Sequence, residues 1–176
     1  MRDIGLENVI EAGEILPVGG YICNIANVKD IAAQDYLDIE FDIAEGQYAG
    51  YYSRLFDSRG FWGGRFLKSY KEKAKPFFKA LITTIEKSNP NYNFAYNEKS
   101  LVGKKIGLVL ALEEYRGNDG VVKKRLYTAQ VHTVDAIRQG RFEVPELKKL
   151  EGSQNLGTSS QGDFSQEIFP DDEVPF

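Results

Sequence analysis

Residues 36–43 read Tyr36-Leu37-Asp38-Ile39-Glu40-Phe41-Asp42-Ile43, and their alternation is the clearest structural signal in the chain. Leu37, Ile39, Phe41 and Ile43 fall on one parity; Tyr36, Asp38, Glu40 and Asp42 fall on the other. That is the period of a strand with one buried face. Upstream, residues 21–28 are β-favourable but carry apolar side chains on both parities, so the inward face is open; 29–35 read as the intervening turn. Downstream of Glu45-Gly46, residues 48–56 are expected to form a third strand. Pro76 suits a first helical position, and Phe77, Phe78, Leu81, Ile82 and Ile85 then recur at helical spacing until Ser88-Asn89-Pro90-Asn91. A polar loop bearing Tyr92, Phe94 and Tyr96 leads to Gly103. Residues 105–115 are a near-continuous apolar run that suits a buried strand, Gly117-Asn118-Asp119-Gly120 signals a hairpin, and 125–134 supply the return. Residues 135–138 and 145–150 read as two short helical turns, and 1–18 as a lead-in.

Three strands, one helix and two strands is the order of an OB-fold, a mainly β, five-stranded Greek-key barrel with a helix between strands 3 and 4. The expected domain spans 19–150; another small α+β domain with the same element count is the alternative. The totals agree with a β-rich body: 17 Gly, 10 Tyr and 11 Phe in 176 residues favour strands joined by tight turns. A single cysteine, Cys23, permits no intramolecular disulfide and fits a reducing compartment. The N-terminus has no apolar run of a signal peptide, and no stretch approaches the ~20 apolar residues of a membrane span. A cytoplasmic protein without membrane association is expected. No P-loop, Ser-His-Asp set or zinc spacing is present, so neither catalysis nor a metal or cofactor is expected. Lone His132 reads as a surface or packed residue of a strand.

The net charge of −4 divides unevenly. Residues 151–176 hold six carboxylates and no Lys or Arg, a charge of −6 that leaves +2 for the rest. Within 59–79, Arg59, Arg65, Lys68, Lys71, Lys73, Lys75 and Lys79 face only Glu72, a local +6. Rings are interleaved with them: Tyr51, Tyr52, Phe56, Phe61, Trp62, Phe66 and Tyr70. Unpaired nucleic acid exposes base faces and phosphates together, so its binders mix flat rings with cations. Arg54, Arg59, Phe61, Trp62, Arg65, Lys68, Tyr70 and Lys71 are the candidate contacts. Trp62, between Phe61 and two glycines, reads as an exposed loop residue. Phe77, Phe78 and Phe56 read as core, and in a strand Tyr51 and Tyr52 would face opposite sides, leaving one of them in the core. Asp38, Glu40 and Asp42 share the outward face of their strand, either as a solvated surface or as a divalent-metal nuclease site.

From Glu151 the chain turns to Gly, Ser, Gln and Asn, a flexible linker over 151–170 with a reach on the order of 25 Å. It closes on Asp171-Asp172-Glu173-Val174-Pro175-Phe176. This end resembles the acidic tip of bacterial single-stranded DNA-binding proteins, which finish Asp-Asp-Asp-Ile-Pro-Phe or close to it. The resemblance implies that Asp171, Asp172, Glu173, Val174, Pro175 and Phe176 dock onto replication, recombination or repair proteins. The physics agrees: a terminal ring and carboxylate form an anchor, and the acids steer it to basic pockets. The body is more similar to single-stranded DNA-binding proteins of phages and mobile elements, through Ser69-Tyr70-Lys71-Glu72-Lys73-Ala74, Val102-Gly103-Lys104-Lys105 and Val144-Pro145-Glu146-Leu147. Together these imply a protein that coats unpaired DNA and recruits enzymes, with homo-oligomerisation left open. The alternatives are an OB-type protein-interaction module and a nuclease using Asp38, Glu40 and Asp42.

Overall fold

The computed structural model describes residues 15–150. The 151–170 linker, the 171–176 tip and the first fourteen residues of the lead-in lie outside the described residues. The chain forms β1 (Gly19–Ile31), β2 (Tyr36–Ile43), α1 (Tyr51–Arg59), β3 (Arg65–Ser69), α2 (Lys75–Ser88), β4 (Lys105–Arg116), β5 (Val122–His132) and α3 (Val134–Arg138). The five strands make one antiparallel sheet in the order β3-β2-β1-β4-β5.

β2 has the bounds and the inward face that its alternation predicts, with Leu37, Ile39, Phe41 and Ile43 buried. The mixed parity of β1 has a local cause. Ile25 pairs with Phe41 and Asn27 with Glu40, so Ala26 is the extra residue of a bulge. A bulge shifts the alternation by one, which lets Cys23 and Ile25 before it and Val28 after it all face the core. β4 is buried on both faces: Ile106, Leu108 and Leu110 on one parity, Val109 and Ala111 on the other. Behind it α3 packs so closely that a side chain at Gly107 would meet Ile137 at 2.5 Å.

The expected third strand at 48–56 is wrong. Tyr51, Tyr52 and Leu55 are buried on a helix, with the two tyrosine rings edge to face at 5.1 Å, so both are core rather than one. The cause is tertiary: Asp42 caps α1 from the neighbouring strand. Its carboxylate accepts the Tyr52 N–H at 2.8 Å, the Ser53 N–H at 3.2 Å and the Ser53 hydroxyl at 2.6 Å. Aromatic residues favour strands only weakly, and a satisfied helix start outweighs that preference. The actual third strand, β3, begins at Arg65.

α2 begins one residue before Pro76 and ends at Ser88, within the expected stop, with Leu81, Ile82 and Ile85 buried. Asn89 ties its end to β4, donating to Ile85 O and Lys105 O and accepting from Lys105 N–H. The hairpin turn falls where expected, closed by the Gly117 N–H on Val121 O. Of the two helical turns expected near the C-terminus, only the first forms. Residues 145–150 are not helical: Lys148 N–H donates to Leu112 O and Glu114 N–H to Lys148 O, a strap running parallel to β4. Among the described residues, no helix is long and apolar enough to cross a membrane.

Candidate nucleic-acid interface

Residues 15–150 hold 21 Lys and Arg against 16 Asp and Glu, a charge of +5. One surface with exposed rings lies where α1 ends, and Asp57 and Arg59 are both exposed there. Gly60, at φ 77°, stops the helix and donates its N–H to Phe56 O, a left-handed conformation that costs glycine little. Arg59, Phe56 (47 % exposed) and Phe61 (52 % exposed) then face solvent around the turn.

Trp62 is not the free loop ring that its neighbours suggest. It is half-buried against the core, and its indole N–H is shared between Phe41 O at 3.1 Å and Gly64 O at 3.0 Å. Its ring lies 6.2 Å from that of Phe56, so it backs that exposed ring. Gly64 makes this junction possible. A Cβ there would stand 2.5 Å from Phe41 O and 2.7 Å from the Tyr52 ring.

The other candidates separate. Arg54 is half-buried and donates to Ala49 O at 2.6 Å. Arg65 is exposed and forks onto Asp38, with Nε 3.2 Å from Oδ1; this hydrogen bond holds its pKa above the usual value. Lys68 is 0 % exposed, on the inward parity of β3 beside Phe66. A side chain buried there cannot meet a phosphate at the surface without leaving its site, so Lys68 is placed as a core residue. Tyr70 stands past the far end of β3, where its hydroxyl donates to Asp30 at 2.7 Å. That bond, ahead of burial, pushes its pKa up to about 12. Lys71 follows on the surface. The structure therefore leaves Phe56, Arg59 and Phe61 exposed around the end of α1 with Trp62 against Phe56, holds Arg65 in an ion pair, and buries Lys68.

The three carboxylates of β2 do not act as one set. Asp38 pairs with Arg65 and Asp42 is buried under α1. Among the described residues, no group of three or more His, Cys, Asp or Glu is arranged to hold a metal ion. His132 is half-buried with Nε2 2.9 Å from Gln130 Oε1, and burial holds its pKa below 6.5.

Sequence reasoning missed the hairpin arm. β4 pairs with β1 only over residues 105–110, whereas its ladder with β5 continues to Arg116 opposite Val122. Tyr115, Arg116, Lys123, Lys124 and Arg125 thus stand on an arm of β4 and β5 beyond the end of β1, where the strap at Lys148 meets β4 at Leu112 and Glu114. Arg125 lies 4.6 Å over the Tyr115 ring and also pairs with Glu113 at 2.9 Å. The signal was present in Lys123-Lys124-Arg125, but only pairing shows that the run is on an extension of the sheet. No protein-family model matches the chain, and no curated protein matches it.

Proposed function

We propose that the chain binds single-stranded DNA without catalysis, gripping it at the end of α1. The observation that carries this reading is the pair of half-exposed phenylalanines, Phe56 and Phe61, set around Arg59 on a body of charge +5. Stacking on such rings contributes about 1–3 kcal/mol per base and tolerates any sequence, while cations add a salt-dependent term. The cationic arm of β4 and β5 offers further cations for phosphates. The fold supports an OB reading: α2 lies between β3 and β4, the strand order is β3-β2-β1-β4-β5, and the two end strands approach within 8 Å at their Cα atoms. That approach is what closure of a five-stranded barrel needs.

Trp62 is the sole tryptophan and its ring touches the cluster, so it reports on binding. Titration with oligo-dT over a salt series should quench its fluorescence, with log affinity falling linearly in log salt. No quenching and no salt dependence would reject the site. A duplex and an RNA oligomer of equal length test strand and sugar preference.

The 171–176 tip is proposed to recruit replication, recombination or repair enzymes, on the strength of its likeness to bacterial tips. Removing those six residues should leave DNA affinity intact and abolish binding to such a partner; retained partner binding would refute the role.

A further inference from the structure

The loop between α2 and β4 carries a second aromatic surface that the α1 cluster does not use. Tyr70 meets Phe78 of α2 edge-on at 5.8 Å, Phe78 meets Phe94 at 6.3 Å, and Phe94 meets Tyr96 at 6.1 Å and 48°. Tyr70, Phe78 and Phe94 are half-buried and pack against the core, which accounts for them structurally. Tyr96 ends the row 94 % exposed, so its ring adds almost nothing to the core.

The loop holds that ring in place at a conformational cost. Ala95 and Tyr96 both have positive φ, 46° and 57°, a region that residues with side chains avoid. The turn is tied on both sides: Phe94 N–H donates to Glu86 Oε2 of α2 at 3.1 Å, and Asn97 N–H donates to Phe94 O at 3.0 Å. A ring presented on a tied loop loses little freedom when a ligand stacks on it.

The surroundings suit an anion. Residues 70–104 carry seven Lys and three Glu, a net +4. Three of the carboxylates in this region are engaged, Asp30 by the Tyr70 hydroxyl, Glu86 by the Phe94 N–H and Glu72 by Lys75, while Glu98 stands between Tyr96 and Lys99 in the chain. Lys99, exposed in the short 3-10 turn Glu98–Leu101, follows Tyr96 by three residues.

The geometry points to Tyr96, backed by Phe94, as a second stacking platform for an unpaired nucleobase, with Lys99 serving the adjoining phosphate. This rests on the single-stranded DNA reading above and extends its footprint. The α1 cluster precedes β3 and Tyr70, the first ring of the row, follows it, so the length of β3, about 17 Å, separates the cluster from the start of the row. Short oligomers therefore occupy one of the two, and longer ones reach both.

The test measures binding of the full chain to oligo-dT of increasing length for wild type, Tyr96→Ala, Tyr96→Phe and Arg59→Ala. Tyr96→Ala should weaken long oligomers by roughly 5- to 150-fold and spare those too short to leave the α1 cluster. Tyr96→Phe should bind like wild type, because stacking needs the ring and not the hydroxyl. The near-complete exposure of Tyr96 means that its truncation should leave the melting temperature unchanged, which is measured alongside. Wild-type affinity of Tyr96→Ala at every length, or a loss in Tyr96→Phe equal to that in Tyr96→Ala, overturns the platform. If Arg59→Ala weakens binding while Tyr96→Ala does not, the platform alone is wrong; if wild type binds no oligomer, the DNA reading fails with it.

Discussion

Arg59 and Lys68 belong to the same cationic stretch but should answer differently to salt. Arg59 is exposed beside Phe61, whereas Lys68 is wholly buried. Each phosphate neutralised on a single strand contributes about −0.7 to the slope of log affinity against log salt. Arg59→Ala should flatten that slope by about this amount; Lys68→Met should leave it unchanged in the folded protein. A salt series of fluorescence titrations measures both. His132 permits a second residue-level expectation. Burial lowers its pKa below 6.5, so the native state favours the neutral ring. The stability this contributes is present above pH 6.5 and is lost as pH falls through the lower folded value. Unfolding free energies from urea titrations should therefore drop on acidification with a slope from this group of at most about 1.4 kcal/mol per pH unit, and His132→Gln should remove that component. Proton NMR of the sole histidine should show titration below 6.5.

Among the elements, α1 depends most on a single side chain outside itself. Asp42 accepts three hydrogen bonds from Tyr52 and Ser53 across the gap between β2 and α1. Asp42→Ala would leave buried donors without partners and should cost about 2–4 kcal/mol in urea unfolding. The same helix shows what local pattern conceals. Tyr51, Tyr52 and Phe56 have strand-like preferences, and the carboxylate that decides otherwise lies ten residues earlier than Tyr52. β3 was hidden for the opposite reason, because an inward Lys68 breaks its apolar alternation. β1 kept its parity ambiguous because the bulge at Ala26 is defined only by its partner strand. β2, α2 and the hairpin turn were legible since each carries its own periodicity or turn chemistry.

At the scale of the whole molecule, the two ends of the described chain meet on the sheet. The Phe142 ring lies against Gly20 of β1, where an added Cβ would approach it to 2.4 Å, and the strap beyond it pairs with β4. Gly20→Ala should destabilise by about 1–3 kcal/mol through this overlap. In a Phe142→Ala background the ring is gone, so the same substitution should cost less. A double-mutant cycle in urea should give a coupling of about 0.5–3 kcal/mol; strict additivity would mean that the strap does not bear on β1. Through this strap the chain leaves residue 150 beside the cationic arm.

The sequence by itself determined that this is a β-rich body of positive charge with cations and rings concentrated between residues 51 and 79, because alternation, turn residues and charge are local properties. Tertiary structure alone decided which of those groups reach solvent. Arg59 and Phe61 do, Lys68 does not, and Tyr96 was raised to the surface by a turn held from α2. Exposure is set by what packs behind a residue, and Trp62 and Asp42 find their partners, Phe41 O and the start of α1, ten or more residues away in the chain.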